Sequence, residues 1–289
     1  MMKNKWDGKS KGNKAGYQFF VSAISIFGLG ATYFFLKFVT FYYYLFSPTK
    51  KYLLSFYQNS LGKSLSESKK LARTNYYIFG QTLVDRFAFL MGKGDKFKHE
   101  HLGGEHLKQL VENGNGGILI SGHVGNWELA GNLMKGQYNA KINVVMYQAE
   151  AEKLADFFES ATGGVDFNII PIKNDFSHII SIHSALKRNE FICLHADRNM
   201  PGAKTIEIDF FGKEAKFPLG PFQLCSKFDA PVCFVFNVKT DKYFYSLSST
   251  APINTKLSAE DFAKEYVKVF EEKCTKYPEQ WFNFYDFYE

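Results

Sequence analysis

Residues 117–131 read GILISGHVGNWELAG. The run Ile118–Leu119–Ile120, bounded by glycines, has the length and composition of a buried strand, and WELAG begins a helical pattern. Between them stand His123, Gly125 and Asn126, with Glu128 five places after the histidine. A strand that runs into a helix through such a turn is the unit of an α/β fold. In open α/β sheets these carboxyl-end turns are where ligands bind.

The same alternation continues along the chain. Apolar runs at 97–102 (FKHEHL), 142–147 (INVVMY), 167–172 (FNIIPI), 191–197 (FICLHAD), 230–238 (APVCFVFNV) and 243–248 (YFYSLS) read as strands. Helical patterns occupy 105–113, 126–134, 149–163, 175–189, 221–229 and 258–278, with one or two further helices over 64–92. The expected fold is α/β, a largely parallel sheet flanked by helices.

Ahead of this body, five lysines (Lys3, Lys5, Lys9, Lys11, Lys14) precede a stretch from Phe19 to Phe46 whose only charge is Lys37. About 20 apolar residues suffice to cross a bilayer, so this segment is expected to span the membrane or to lie in its interface. Lys50, Lys51 and Lys63 follow it, so the charge rule nearly ties on orientation. No small-residue cleavage site closes the run, which argues against a removable signal peptide. The expected division is a basic, membrane-binding segment at 1–60 and a catalytic domain at 61–289.

Composition agrees with contact to lipid. The 289 residues include 31 Phe and 17 Tyr, an aromatic load suited to the headgroup level. A net charge of +6 favours an anionic membrane surface, an acidic carrier protein or nucleic acid, without choosing among them. Cys193, Cys225, Cys233 and Cys274 lie far apart with no paired spacing, as expected of free thiols in a reducing compartment.

At the 117–131 junction, Gly122 and Gly125 allow a tight turn and close approach of a substrate. Glu128 falls in the first helical turn, where the helix dipole favours its ionised form. His123 could then act as general base on a hydroxyl, with Glu128 as its orienting partner. A histidine merely satisfied by backbone at a strand end is the competing reading, and chemistry alone leaves both open. The cluster HEHLGGEH (99–106) has metal-like residues on a strand and surface helix, and is read as no metal site. Two SxxK matches, at 60–63 and 66–69, lack companion motifs.

HVGNWELAG (123–131) resembles the histidine, four residues, acid signature of glycerolipid acyltransferases, in the form characteristic of the lipid A biosynthesis (late) acyltransferase family. The stretch from His195 to Val232, with its Asp, FFG and Pro-Gly elements, resembles that family's second block, and YPEQW (277–281) its closing motif. The resemblance covers essentially the whole chain. It implies an acyltransferase in which His123 and Glu128 are catalytic and no acyl-enzyme is formed, consistent with the lack of a GxSxG elbow. Gly125, Asn126, Asp197 and Arg198 are expected in the substrate site, Arg198 (not universal in that family) through a phosphate or the oxyanion; an Arg–Asp pair tying down a loop is the competing reading of Asp197 and Arg198. Phe211, Gly212, Pro218 and Gly220 are expected to shape a pocket. The donor implied is an acyl thioester on acyl carrier protein, the acceptor a membrane lipid, with no cofactor, no metal and no nucleic acid. The implied location is the bacterial inner membrane, domain facing the cytoplasm.

The chain departs from that family after YPEQW, continuing FNFYDFYE where Trp, His and Arg are typical. The acceptor is therefore expected to be lipid A or a less anionic lipid, such as an aminolipid or a pigment-type acceptor. A thioesterase or lipid hydrolase and an inactive lipid-binding protein are the alternatives from other classes.

Overall fold

A computed structural model describes residues 14–148, 151–152, 167–173, 175–200 and 202–288. Most of the helix expected over 149–163 lies outside the described residues. The core is a seven-stranded sheet in the order β1-β9-β8-β2-β5-β3-β4. Its strands are β1 (Lys98–Leu102), β2 (Gly117–Ser121), β3 (Ile142–Tyr147), β4 (Asn168–Ile172), β5 (Phe191–His195), β8 (Val232–Asp241) and β9 (Phe244–Ser249). Every neighbouring pair is parallel except the β8–β9 hairpin. Parallel strands covered on both faces read as continuous apolar runs, and β2 and β3 do so: Gly117–Ile120 and Ile142–Met146 are buried without interruption.

Helices α3 (Leu65–Ala88), α4 (Gly104–Glu112), α5 (Trp127–Tyr138), α6 (Ser177–Lys187), α7 (Leu219–Lys227) and α8 (Ala259–Lys276) accompany the sheet. α3 starts in a capping box, the Ser64 side chain accepting from Glu67 N while Glu67 returns to Ser64 N. α8 packs an aromatic stack onto the sheet. Tyr266 and Phe270 lie parallel at 5.4 Å, against Phe236 and Phe217.

Two elements were not foreseen from the sequence. β6 (Thr205–Phe210) and β7 (Lys213–Pro218) form a separate antiparallel hairpin. Phe211 and Gly212 turn it with φ of 56° and 72°, the two positive values of a type I′ turn. The short helix α2 (Lys50–Asn59), within the segment assigned by sequence to membrane binding, places Leu53, Phe56 and Tyr57 in the main core. Phe56 meets Trp281 edge-on at 4.6 Å.

The long apolar segment forms α1 (Lys14–Phe46), bent where Gly28 takes φ 74°. Phe19–Phe46 is long and apolar enough to cross a membrane by length and composition. One stripe of it, including Leu29, Tyr33, Leu36 and Thr40, is buried against the body. Gly80 of α3 admits that approach, since a Cβ there would sit 2.9 Å from Leu36 and Thr40 side-chain carbons. The contact also has a polar anchor. Asp85 of α3 accepts hydrogen bonds from Tyr33 and Tyr245 and is paired with Lys239 at 2.5 Å, all of them buried.

Candidate active site

The register of β2 on β5 builds the site. Ser121 pairs with His195, so the residues two places further along each strand, His123 and Asp197, emerge side by side beyond the sheet's carboxyl edge. The turn that follows β2 is pinned on several sides. Gly125 N donates to Gln280 O at 2.9 Å and Asn126 N to Asn237 O at 2.7 Å. Phe282 N donates to His123 O at 3.0 Å. Gly125 takes φ 75°, and a Cβ on it would lie 2.0 Å from Asn237 O, so only glycine fits. At Gly122 a Cβ would press within 2.8 Å of Tyr266 Oη and Phe270, which clears the backbone around the histidine.

His123 Nδ1 lies 2.7 Å from Asp197 Oδ1, and His123 N donates to Asp197 Oδ2 at 2.9 Å. Trp281 Nε1 donates to the same Oδ2 at 3.3 Å. The orienting carboxylate of His123 is therefore Asp197, which the sequence had assigned to substrate binding. Glu128 was expected in that place; instead both its oxygens accept from Arg86 Nη1, at 2.7 and 2.8 Å. A carboxylate on the adjacent strand at matched register reaches Nδ1 directly. Glu128, in the first turn of α5, faces α3. Its charge still acts on His123 through space, favouring the protonated ring.

Electrostatics suit a base that is neutral at rest. Burial and the Arg198 charge press the His123 pKa below the ordinary histidine value, against the opposing pull of Asp197 and Glu128. Asp197 would be raised by its burial, yet the His123 and Arg198 charges and the His123 hydrogen bond hold it well below the usual carboxylate range. A carboxylate held toward its ionised form is what a tautomer-fixing partner requires.

The remaining expected residues fall into two groups. Gly125 and Asn126 lie in the turn after β2, where Asn126 is buried and its Oδ1 accepts from Leu129 N at 3.2 Å, capping α5. Arg198 adjoins the site and donates from Nη2 to Phe282 O at 3.0 Å. Phe211 and Gly212 instead turn the β6–β7 hairpin, where Phe211 packs on Phe56 and Phe210 and its amide donates to Glu271. Pro218 and Gly220 sit at the hairpin's other end and the start of α7. None of the four lines the cleft under α5.

His195 was missed, although its spacing two residues before Asp197 on a strand signals a shared face. Its ring lies 4.5 Å from that of His123 and edge-on to Trp127 at 4.9 Å. Burial first, then the His123 charge, pushes its pKa down to about 3. Beyond it an apolar cleft runs under α5, lined by Trp127, Ile142, Val144, Phe167, Cys193 and His195. His123, His195 and Asp197 could each offer one ligand atom to a cation within 4.8 Å of one another. His123 and Asp197 are themselves joined by a direct hydrogen bond at 2.7 Å, the arrangement in which a carboxylate orients an imidazole. In the HEHLGGEH cluster, His101 is committed to Ser249 and Tyr138, at 3.0 and 2.6 Å. Arg86 carried no sequence signal, standing 42 residues before Glu128.

Fold and site together define an α/β protein that presents a carboxylate-oriented histidine at a strand end, beside an apolar cleft and an apolar helix. The profile described as bacterial lipid A biosynthesis acyltransferase matches residues 18–287, and the chain belongs to that family. It is also similar to phosphatidylinositol mannoside acyltransferase of Mycobacterium tuberculosis (strain ATCC 25618 / H37Rv), 29% identical over 121 residues, 42% of this chain and 38% of the relative. The Mycolicibacterium smegmatis protein of the same description is 27% identical over 121 residues, 42% of this chain and 39% of the relative. The chain thus spans under two fifths of the length of these relatives.

Proposed function

We propose that this protein is a membrane-associated O-acyltransferase, moving a fatty acyl chain from a thioester donor to a hydroxyl of a membrane lipid. The observation that carries the reading is the His123–Asp197 pair, 2.7 Å apart beyond the carboxyl edge of the sheet, in a chain of this family. With Nδ1 engaged by Asp197, Nε2 of His123 is the nitrogen offered to an acceptor hydroxyl. It takes the hydroxyl proton as the oxygen attacks the thioester carbonyl. The tetrahedral intermediate collapses, the C–S bond breaks, and the same imidazolium returns the proton to the departing thiolate. Asp197 stabilises that imidazolium, and the Glu128 charge adds to it. Arg198, whose charge acts on both His123 and Asp197, is assigned to the oxyanion.

Acyl carrier protein is the proposed donor carrier, since the chain's net charge of +6 suits an acidic protein. The location proposed is the inner membrane, with the domain on the cytoplasmic side where that carrier resides. For the acceptor, lipid A and the sugar-bearing lipid named in the mycobacterial relatives are the classes to test first. The aromatic tail favours an acceptor with less need for phosphate. Its rings pack inward, Tyr285 Oη donating to Asp197 O and Tyr288 Oη to Phe210 O, instead of presenting cations. Strict dependence on acceptor phosphates would overturn that part.

The test is lipid mass spectrometry of the envelope of a deletion strain, complemented with wild type or His123→Ala. The expected result is one lipid class lacking a single acyl chain, restored by wild type alone. Restoration by His123→Ala removes the histidine from the chemistry. Donor thioester consumed equally without any acceptor would make the protein a thioesterase.

A further inference from the structure

The buried stripe of α1 leaves the opposite face to be explained. Phe34, Phe38 and Leu45 point away from the body, Phe38 being 63% exposed, on a helix whose other side is docked on α3. Cations stand beside this helix along its whole length. Lys93 Nζ donates to Ile24 O at 3.0 Å, and Lys242 lies beside Gly30. Lys37 is exposed, the Arg73 guanidinium sits 5.0 Å over the Phe41 ring, and Lys50 lies 4.8 Å over that of Tyr44.

From Ile24 to Tyr44 is about 30 Å of helix, the thickness of a hydrocarbon core. A helix that crossed the bilayer would keep its cations at the two ends. Here Lys37 and Lys242 stand at its middle, and the body is fastened there too, through Tyr33 to the buried Asp85. A crossing would carry the β8–β9 turn, with exposed Asp241 and Lys242, to mid-bilayer. A helix lying in the plane of the membrane puts every one of these charges at headgroup depth, and the aromatic row a few ångströms below.

We infer that α1 lies along an anionic leaflet as an interfacial helix, its outer face in the acyl boundary and its flanking cations on lipid phosphates, and does not cross the bilayer. This rests on the membrane association proposed above. It also sets the catalytic cleft at a fixed height over one leaflet, because α3 carries both the Tyr33 anchor and Arg86.

The test uses the full chain carrying Cys193→Ser, with spin labels at Phe34→Cys, Phe38→Cys or Leu45→Cys, on vesicles of phosphatidylcholine with about one third phosphatidylglycerol. The labels are expected within about 5–10 Å of the phosphate plane and at similar depths. In parallel, Lys37→Glu, Arg73→Glu and Lys242→Glu should each weaken partitioning about fivefold or more on these vesicles, with little effect on phosphatidylcholine alone. These surface positions leave the fold intact. A depth that changes by about 16 Å between Phe34 and Leu45 overturns the inference, as does partitioning indifferent to the reversed charges. Neither readout involves acyl transfer, so the inference fails or stands separately from the enzymatic reading.

Discussion

Asp197→Asn should abolish catalysis while leaving the fold in place, and the structure states why. The carboxylate has two distinguishable oxygens. Oδ2 accepts two N–H donors, His123 N at 2.9 Å and Trp281 Nε1 at 3.3 Å, while Oδ1 faces His123 Nδ1 at 2.7 Å. An asparagine in this place keeps its oxygen toward the two donors, because the amide NH2 cannot accept from them. Its NH2 group then points at Nδ1, which must accept, and the ring proton moves to Nε2. That nitrogen can no longer take a proton from the acceptor. A wrong-tautomer substitution of this kind costs about 10⁴ in turnover in serine proteases, and about 10³–10⁴ is expected here. The acid limb of the rate profile should also move to lower pH, since the lost carboxylate was raising the His123 pKa. The assay is transfer of labelled acyl chain from thioester to extracted membrane lipid, across pH, with urea unfolding as the check on folding. Asp197→Asn retaining more than about a tenth of wild-type turnover would refute the assignment of Asp197 as the partner that fixes the tautomer.

Three further outcomes follow from the same geometry. Arg198→Gln removes a charge that lowers the His123 pKa, so the acid limb should move to higher pH, and a limb that falls or stays put contradicts it. Gly125→Ala forces a side chain into the left-handed region and onto Asn237 O, costing at least about 1–3 kcal/mol from the backbone alone; an unchanged urea midpoint would deny that strain. His195, its pKa pushed down to about 3, stays neutral in the fold while the unfolded chain takes up a proton below about 6.5. Stability should therefore fall as pH drops from about 6.5 toward 3, by up to about 1.4 kcal/mol per pH unit from this group. Urea midpoints should show a shallower acid loss in His195→Gln, and equal slopes in the two proteins would count against it.

The sheet was legible in the sequence because strands buried on both faces must be apolar throughout, and runs such as Ile118–Ile120 and Ile142–Met146 meet few competing explanations. The position of His123 at a strand's carboxyl end followed from the same pattern. Its partner did not, because spacing along one segment measures the chain, whereas register across strands decides contact. Glu128 is five residues from His123 and Asp197 is 74, yet the Ser121–His195 pairing makes the distant acid the neighbour. The β6–β7 hairpin was hidden for a related reason: its turn puts Phe211, a poor turn residue, at φ 56°. The amide of Phe211 is held there by Glu271, 60 residues away. Nor does apolar composition tell a spanning helix from a docked one. What distinguishes them is the stripe of Leu29, Tyr33, Leu36 and Thr40 meeting α3, a tertiary fact.

Helix α3 carries two adjacent side chains with opposite duties. Asp85 turns toward α1 and Lys239, while Arg86 turns toward Glu128. The Asp85–Lys239 pair is fully enclosed, at 0% and 7% residue exposure. Taking both charges out of water costs about as much as their attraction returns, so the pair by itself adds little stability. Breaking it is another matter. Asp85→Leu leaves the Lys239 ammonium buried without a counter-charge, and removes the acceptor of the Tyr33 and Tyr245 hydroxyls. A loss of about 3–5 kcal/mol is expected from urea unfolding. Adding Lys239→Met should recover most of it, because an apolar pair of similar volume needs no counter-charge. In the recovered double variant Tyr33 keeps only its long 3.4 Å bond to Lys242 O, so α1 should sit more loosely on α3, seen as faster amide exchange along Leu29–Thr40 than along β2. A double variant as unstable as Asp85→Leu would mean that the charges themselves hold this part of the fold. Exchange along α1 unchanged from wild type would mean that apolar packing alone seats the helix and Tyr33 is incidental.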